Sequence, residues 1–297
     1  MGNFPFRSQC DLVIWNVQHG SAAYLKTSSG KHVIFDLGTG TQAEPMSTFS
    51  PLKHLREHHN VSKLDFAVIS HPHADHIGDV YELLGMAPSK VVYPNHLSER
   101  DILGDNKQSD KNLLQLYQCV MSRLIHNKYP AIFSSLLPNN VNYGDAKITW
   151  WNPRSCATSN LNNHSIVVLI ECGNIKVLIP GDNEECAWNE MLSNSDFKKI
   201  AGDVDILVAP HHGRQSAYCS ALMDLVSPKL TVISDSYKSD TSAVDLYSSE
   251  STGVRVVSKS RGTEIRYCVT TRKDGVIVIR ISRDGIFSPS TLDVRVN

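Results

Sequence analysis

The segment His71-Pro72-His73-Ala74-Asp75-His76, entered from the apolar run Phe66–Ile69, constrains this chain more than any other feature. Three imidazoles and one carboxylate within six residues are nitrogen and oxygen donors suited to zinc or a similar divalent ion. In an extended segment His71 and His73 point the same way and can share one ion. If the chain then turns into a helix, Asp75 and His76 swing to the other side. There they can hold a second ion about 3.5 to 4 Å from the first, so that the pair clamps a bridging hydroxide and polarises a carbonyl or phosphoryl group.

Four ligands cannot fill two coordination shells, so the fold must bring further donors from other strand ends to the same place. Asp182 follows the apolar strand ending at Ile179 and can bridge both ions, or cap a helix over Asn183–Met191. His164, in Asn162-Asn163-His164-Ser165 ahead of a strand, can complete the first ion's shell or take a structural or substrate-contacting role. His211 and His212 follow the buried run Ile206–Ala209. Adjacent side chains diverge, so one of them binds metal and the other faces the leaving group or phosphate; the spacing leaves open which.

Strands are predicted at Leu12–Val17, Ala22–Lys26 and Lys31–Phe35, an antiparallel meander turned at Ser28-Ser29-Gly30. Helical spacing follows over Phe49–His59, then the strand Phe66–Ile69, a helix Ile77–Leu84 and a strand Lys90–Tyr93. Asn95–Asn112 reads as polar and irregular and Leu113–Ile125 as an amphipathic helix, together an insertion at about 95–130 that walls the site. A second half begins near Asp145, with strands Lys147–Trp151, Ile166–Glu171, Lys176–Ile179, Ile206–Ala209 and Leu230–Ile233. Glu264–Tyr267 and Val276–Ile281 suggest a closing hairpin. The expectation is one α/β domain over 1–297, with strands ending in polar, chemistry-bearing loops.

Composition removes several alternatives. Lys and Arg total 29 against 30 Asp and Glu, a net charge of −1 that gives no global field for polyanions. Nucleic-acid contact must be local, and Lys53, Arg56, Lys63, Lys198, Lys199, Lys259, Arg261, Arg272 and Lys273 are the cations that could gather on a rim. No run approaches the roughly 18 to 20 apolar residues of a membrane span, and the first residues lack a secretory pattern. Gly2 is a poor myristoylation site because Phe6 stands where Ser or Thr is wanted. The seven cysteines are scattered, with no Cys-x-x-Cys pair, which predicts reduced thiols and a cytoplasmic protein.

On these motifs the chain resembles the metallo-β-lactamase superfamily of binuclear metal hydrolases. Beside His-x-His-x-Asp-His, Asp36-x-Gly38 looks like its early structural Asp motif, His164 its third His motif, Asp182 in Pro180-Gly181-Asp182 the bridging Asp, and Pro210-His211-His212-Gly213 the last His motif. Asn16–Ala22, Asn163–Val168, Pro210–Gly213 and Ser227–Ser234 look most like the ComEC-like competence-type nuclease domain and its stand-alone relatives. The resemblance implies a four-layer αββα sandwich with two divalent ions, Zn2+ or Mn2+, at one edge between the sheets. Three departures stand out: Ser21 replaces an Asp, Arg214 replaces a Ser after His-His-Gly, and Ser236–Thr241 replaces a Gly-Asn-x-Tyr-x-His-Pro segment.

The expected activity is phosphodiester hydrolysis, a nuclease cutting DNA through a metal-bridging hydroxide. Asp75, His211 and His212 are the expected catalytic residues. Arg214, Ser236 and Lys238 are expected to contact substrate, guanidinium matching phosphate oxygens in a bidentate way. A small phosphodiester or cyclic nucleotide is the alternative substrate, and an inactive binding module on the same fold is the rival of another class. A toxic nuclease would also need a restraining protein partner.

Overall fold

The computed structural model describes residues 7–40, 49–125, 139–236, 243–284 and 288–297. Lys238 and Thr241 lie outside them. Largely apolar strands build two sheets.

The first sheet contains β1 (Arg7–Ile14), β2 (Ala23–Lys26), β3 (His32–Phe35), β4 (Phe66–Val68) and β5 (Val91–Val92). The second contains β6 (Asn139–Tyr143), β7 (Ala146–Trp151), β8 (Val167–Cys172), β9 (Ile175–Ile179), β10 (Ile206–Val208) and β11 (Leu230–Ile233). Toward the C-terminus, β12 (Val254–Ser258), β13 (Gly262–Arg266), β15 (Ile277–Asp284) and β16 (Thr291–Val296) join the first sheet, and β14 (Cys268–Thr270) the second. Strand order is β13-β12-β16-β15-β1-β2-β3-β4-β5 in one and β14-β11-β10-β9-β8-β7-β6 in the other.

The two-residue period decides which layer each side chain enters. Val33 and Phe35 of β3 and Val177 and Ile179 of β9 point into a shared core between the sheets, with Leu12, Phe66, Ile148, Trp150 and Ile206. Ile34, between Val33 and Phe35, faces outward onto helices α1 (Pro51–His59), α3 (Val80–Gly85) and α5 (Lys111–Ile125) through Leu52, Leu55, Leu83, Leu114 and Tyr117. Leu178, between Val177 and Ile179, faces α6 (Glu185–Ser193), α7 (Ser195–Ala201) and α8 (Ser220–Val226) through Trp188, Met191, Phe197 and Leu222. Apolar faces buried on both sides of each sheet give the four-layer αββα sandwich.

The meander β1-β2-β3 is antiparallel as predicted. Four expectations change. The helix expected over Ile77–Leu84 is two pieces, α2 (Ala74–Ile77) and α3, separated at Gly78 and Asp79. The stretch expected to be irregular holds α4 (Glu99–Asp105), started by a reciprocal capping box in which Ser98 Oγ accepts the Asp101 N–H and Asp101 accepts the Ser98 N–H. β13 and β15 do not form the closing hairpin: β13 pairs with β12, and β15 lies between β16 and β1. Finally, Cys156 and Cys186, 30 residues apart in sequence, are joined by a disulfide, so the seven cysteines are not all thiols. Scatter in sequence did not mean scatter in space, because the loop after β7 folds back onto α6.

Topology explains where the donors meet. β3 and β4 run parallel, as do β9, β10 and β11, and antiparallel β2 and β8 begin beside the C-terminal ends of β3 and β9. Asp36, His71, Asp182, His211 and Ser234 all follow a C-terminal strand end.

Candidate metal centre

Past β4 the backbone stays extended through His73, and the two first imidazoles meet there, His71 Nε2 standing 2.9 Å from His73 Nδ1. The chain then enters α2, whose first turn carries Asp75 and His76. Asp36 sets this loop. One carboxylate oxygen accepts the Ser70 N–H at 2.6 Å, while the other takes the Ser70 hydroxyl at 2.8 Å and His76 Nδ1 at 2.9 Å. His76 Nε2 is thereby turned inward. Gly38 is required at its place: a Cβ there would stand 2.6 Å from the Asp75 carbonyl oxygen and 2.8 Å from that of Ser21.

Asp182, at the end of β9, is central. Its oxygens lie 3.3 Å from His76 Nε2, 3.4 Å from His212 Nε2, 3.8 Å from His211 Nε2 and 3.9 Å from His71 Nε2. Beyond β10, His211 (φ 48°) and His212 (φ 55°) are both left-handed, a backbone that costs roughly 1–2 kcal/mol per non-glycine residue. That turn brings both rings toward Asp182 without making them equivalent. His212 Nε2 also lies 3.2 Å from Asp75, with its Nδ1 donating to the Ser234 carbonyl at 3.0 Å. His211 instead has its Nδ1 2.9 Å from Glu184.

Two groups of converging donors result, His71, His76 and Asp182 in one and His19, Asp75 and His212 in the other. His19, which the sequence reading missed, stands 3.4 Å from Asp75 with its ring 4.8 Å from that of His212. The available signal was its position just past the first strand, in the turn Gln18-His19-Gly20, where Gln18 and Gly20 both have positive φ. His71 and His76 are fully buried, whereas His19, Asp75 and His73 keep 30%, 23% and 20% of their side chains exposed, so the centre opens on that side.

His164 is not brought to the centre. Its Nδ1 lies 2.9 Å from Nε2 of His96 and its carbonyl accepts from Asn152. The reason is local: His164 ends the 3-10 turn Leu161–His164, and Ser165, the first extended residue on the way into β8, is the one that faces the carboxylates. Ser165 Oγ accepts the Asp182 N–H at 3.0 Å and stands 3.2 Å from His71 Nδ1. Arg214 lies beside His19, with its Nε buried and without a hydrogen-bond partner, and Ser236 is buried beyond the end of β11.

These residues fit divalent ions. Nε2 of His76 and of His212 are buried yet make no well-formed hydrogen bond, although carboxylate oxygens stand 3.2–3.4 Å away. Two donors each about 2.0–2.2 Å from one tetrahedral zinc stand at about such a separation. The rear ring nitrogens are engaged: His71 by the Ser70 and Ser165 hydroxyls, His73 by Asp105, His76 by Asp36, His211 by Glu184 and His212 by the Ser234 carbonyl. Such partners fix ring orientation and raise basicity.

The electrostatics agree. Burial opposes charge on Asp75 and Asp182, but the surrounding His76 and His212 hold both carboxyls well below the usual range. Burial, then the nearby His76 and His73, keeps His71 neutral. His19 is pushed down to about 4, by burial and then by His212. Burial also works against charge on His212, yet Asp182 and Asp75 lift it to about 9. Anionic carboxylates interleaved with imidazoles are the donors of a cation site.

A sandwich with this edge defines a class, and comparison with known proteins agrees: the profile of the metallo-beta-lactamase superfamily matches residues 16–233. The chain belongs to that superfamily and sides with its metal-dependent hydrolases. It is 27% identical over 213 residues to Recombination protein 2 of Haemophilus influenzae, a match covering 71% of this chain and 22% of that protein. It is also 30% identical over 95 residues to a UPF0173 metal-dependent hydrolase of Saccharolobus solfataricus, covering 32% of this chain and 38% of the other. The chain thus spans well under half the length of both relatives. Among solved structures, a long-form RNase Z from yeast is similar at TM-score 0.47 and 12% identity, covering 96% of this chain and 50% of that one. CmlA, a diiron β-hydroxylase from Streptomyces venezuelae, is similar at TM-score 0.43 and 14% identity, covering 75% and 44%. Among the described residues no helix is long and apolar enough to cross a membrane.

Proposed function

We propose that this chain is a binuclear metal-dependent phosphodiesterase whose substrate is DNA. The observation that carries this reading is the pair of donor groups standing side by side, with Asp182 within 3.4 Å of His212 as well as within reach of His71 and His76. Two divalent ions held there, zinc or manganese by donor chemistry, would supply Lewis-acid polarisation of a phosphoryl group and an activated water.

His71 and His76 with Asp182, and His73 beside His71, would hold one ion, and His19, Asp75 and His212 the other, with Asp182 also within reach of His212. Asp75, partly exposed at the mouth, also orients the attacking water. His211, set back from Asp182 and turned by Glu184, is placed to give a proton to the departing oxygen. Arg214 offers a planar donor set to the phosphate, and Ser236, two residues past the Ser234 that holds His212, is the further proposed contact. Gln215, next to Arg214 in sequence, lines a hollow of about 440 Å³ with Asp245, Arg272 and Lys273; Arg272 is paired with the buried Asp235, so exposed Lys273 is the cation the hollow offers to a chain of phosphates. The Haemophilus relative carries recombination in its name, which supports DNA over a small diester.

The test is a substrate panel of linear, circular and single-stranded DNA, RNA and bis-p-nitrophenyl phosphate, each with Zn2+ or Mn2+, using wild type and His73→Ala. DNA cleavage that His73→Ala abolishes is the expected result. Turnover of the small ester without DNA cleavage moves the reading to a small phosphodiester or cyclic nucleotide. A folded protein that retains no metal and cleaves nothing is a binding module.

A further inference from the structure

Two carboxylates behind the centre, Asp105 and Glu184, come from opposite sides of it, one from the end of α4 and the other from the start of α6. Asp105 stands 3.2 Å from His73 Nε2, and Glu184 stands 2.9 Å from His211 Nδ1. A single loop, residues 152–164 between β7 and β8, grips both. The Leu161 N–H donates to Asp105 Oδ2 at 2.7 Å, the same oxygen that faces His73. The Asn160 side-chain amide donates to Glu184 Oε2 at 2.8 Å, leaving Oε1 to His211.

The loop is itself tied at both flanks. Toward α4, Thr158 donates to Asp101 at 2.7 Å, and His164 pairs with His96 at 2.9 Å. Toward α6, Asn163 Oδ1 accepts the Glu184 N–H at 3.0 Å, and Glu190 accepts the N–H groups of Arg154 and Ser155 at 2.9 and 2.8 Å. The Cys156–Cys186 disulfide is the covalent tie to α6, and Cys186 is on its exposed side.

We propose that loop 152–164 is the positioning element of the metal centre, with Asn160 and Asp105 its positioning residues, setting His211 through Glu184 and His73 directly, and with the disulfide holding the loop in register. This rests on the binuclear reading above. It gives the conspicuous His164 a place as an anchor of that loop. Outer partners of ligating groups change metal affinity by about 10–100-fold when removed, so the loop acts on the metals through Leu161, Asp105 and His73, and loosening Asn160, the neighbour of Leu161, reaches them by the same route while also freeing His211.

The probe is Co2+, whose visible absorption reports ligand geometry, titrated into the metal-free full chain. Asn160→Ala and Asp105→Asn are expected to weaken Co2+ binding about 10–100-fold and to shift its absorption, with the thermal midpoint of the metal-free protein moving far less than that of the loaded one. Asn160→Gln, which keeps the amide, should recover part of the affinity. The bridge is opened separately with a phosphine, which gives two electrons to the S–S bond and leaves as phosphine oxide with an oxygen from water, while each sulfur takes a proton; the phosphine is removed before titration. The opened protein is expected to show the same weakening and absorption shift, and this arm reads the loop even where a substitution prevents folding. Unchanged affinity and spectrum in Asn160→Ala and in the opened protein overturn the proposal. His71→Ala separates the two readings. If it loses Co2+ while Asn160→Ala keeps it, positioning alone falls; if wild type binds no better than His71→Ala, the binuclear reading falls and takes this one with it.

Discussion

His19 and His164 exchange the roles their sequence contexts suggest, and the exchange follows from the direction a side chain leaves the backbone. His164 sits in the more suggestive motif but closes a 3-10 turn that faces His96, and Ser165 faces Asp182 in its stead. His19 lies in a turn of positive-φ residues and reaches Asp75. His164→Ala is therefore expected to retain two ions per chain by mass spectrometry of the native protein, whereas His71→Ala retains at most one. Gly38 is a second residue whose demand is steric. Gly38→Ala drives a methyl group against the carbonyl oxygens of Asp75 and Ser21, so metal content and the thermal midpoint should both fall. The His-x-His-x-Asp-His run and Asp182 were legible in sequence because ligand type and strand-end position coincide. Asp105 and Glu184 were not, since a carboxylate behind an imidazole has no spacing rule.

Elements explain how the centre is braced. Asp79, just past α2, accepts the Ser50 hydroxyl at 2.7 Å and the Leu52 N–H at 2.8 Å, joining α1 to the loop that carries Asp75 and His76. Burial raises its carboxyl to about 6, more than these hydrogen bonds lower it. A raised carboxyl binds its proton more tightly folded than unfolded, so it disfavours the fold above about pH 6 and this penalty fades as pH falls toward the unfolded value near about 4. In urea titrations the stability of wild type relative to Asp79→Asn should rise as pH is lowered from 7 to 5. α4 was missed as a helix because its seven residues have one buried apolar side chain, Ile102, and the start signal is the polar box at Ser98. Ser98→Ala should cost about 1 kcal/mol, read by urea unfolding. The strands were easier to see, since alternation in β15 and the largely apolar runs of β3, β8 and β9 are written directly in residue type.

At the scale of the molecule, three apolar layers and one covalent bridge hold the sandwich. Trp150, fully buried between the sheets against Phe66, is the largest single contributor to the central layer, and Trp150→Ala should destabilise by about 3–5 kcal/mol in equilibrium unfolding. Opening a bridge that spans 30 residues restores about 3–4 kcal/mol of chain entropy to the unfolded state, and Cys156→Ser with Cys186→Ser should lower the thermal midpoint by several degrees. Alkylation without reductant should label five cysteines per unfolded chain rather than seven. The αββα layering was legible because both faces of each sheet are apolar. The disulfide was not, because pairing depends on where a loop returns.

β1, which leads into the His19 turn, has β15 as its neighbour on one side, Ile14 meeting Ile277 and Arg7 meeting Asp284. Until that late strand has left the ribosome, a nascent chain presents β1 with one flank bare, and the turn beyond it lacks a finished support. Support for the His19 side of the centre thus waits on a strand drawn from the far half of the sequence, a long-range pairing that must form before that turn is held.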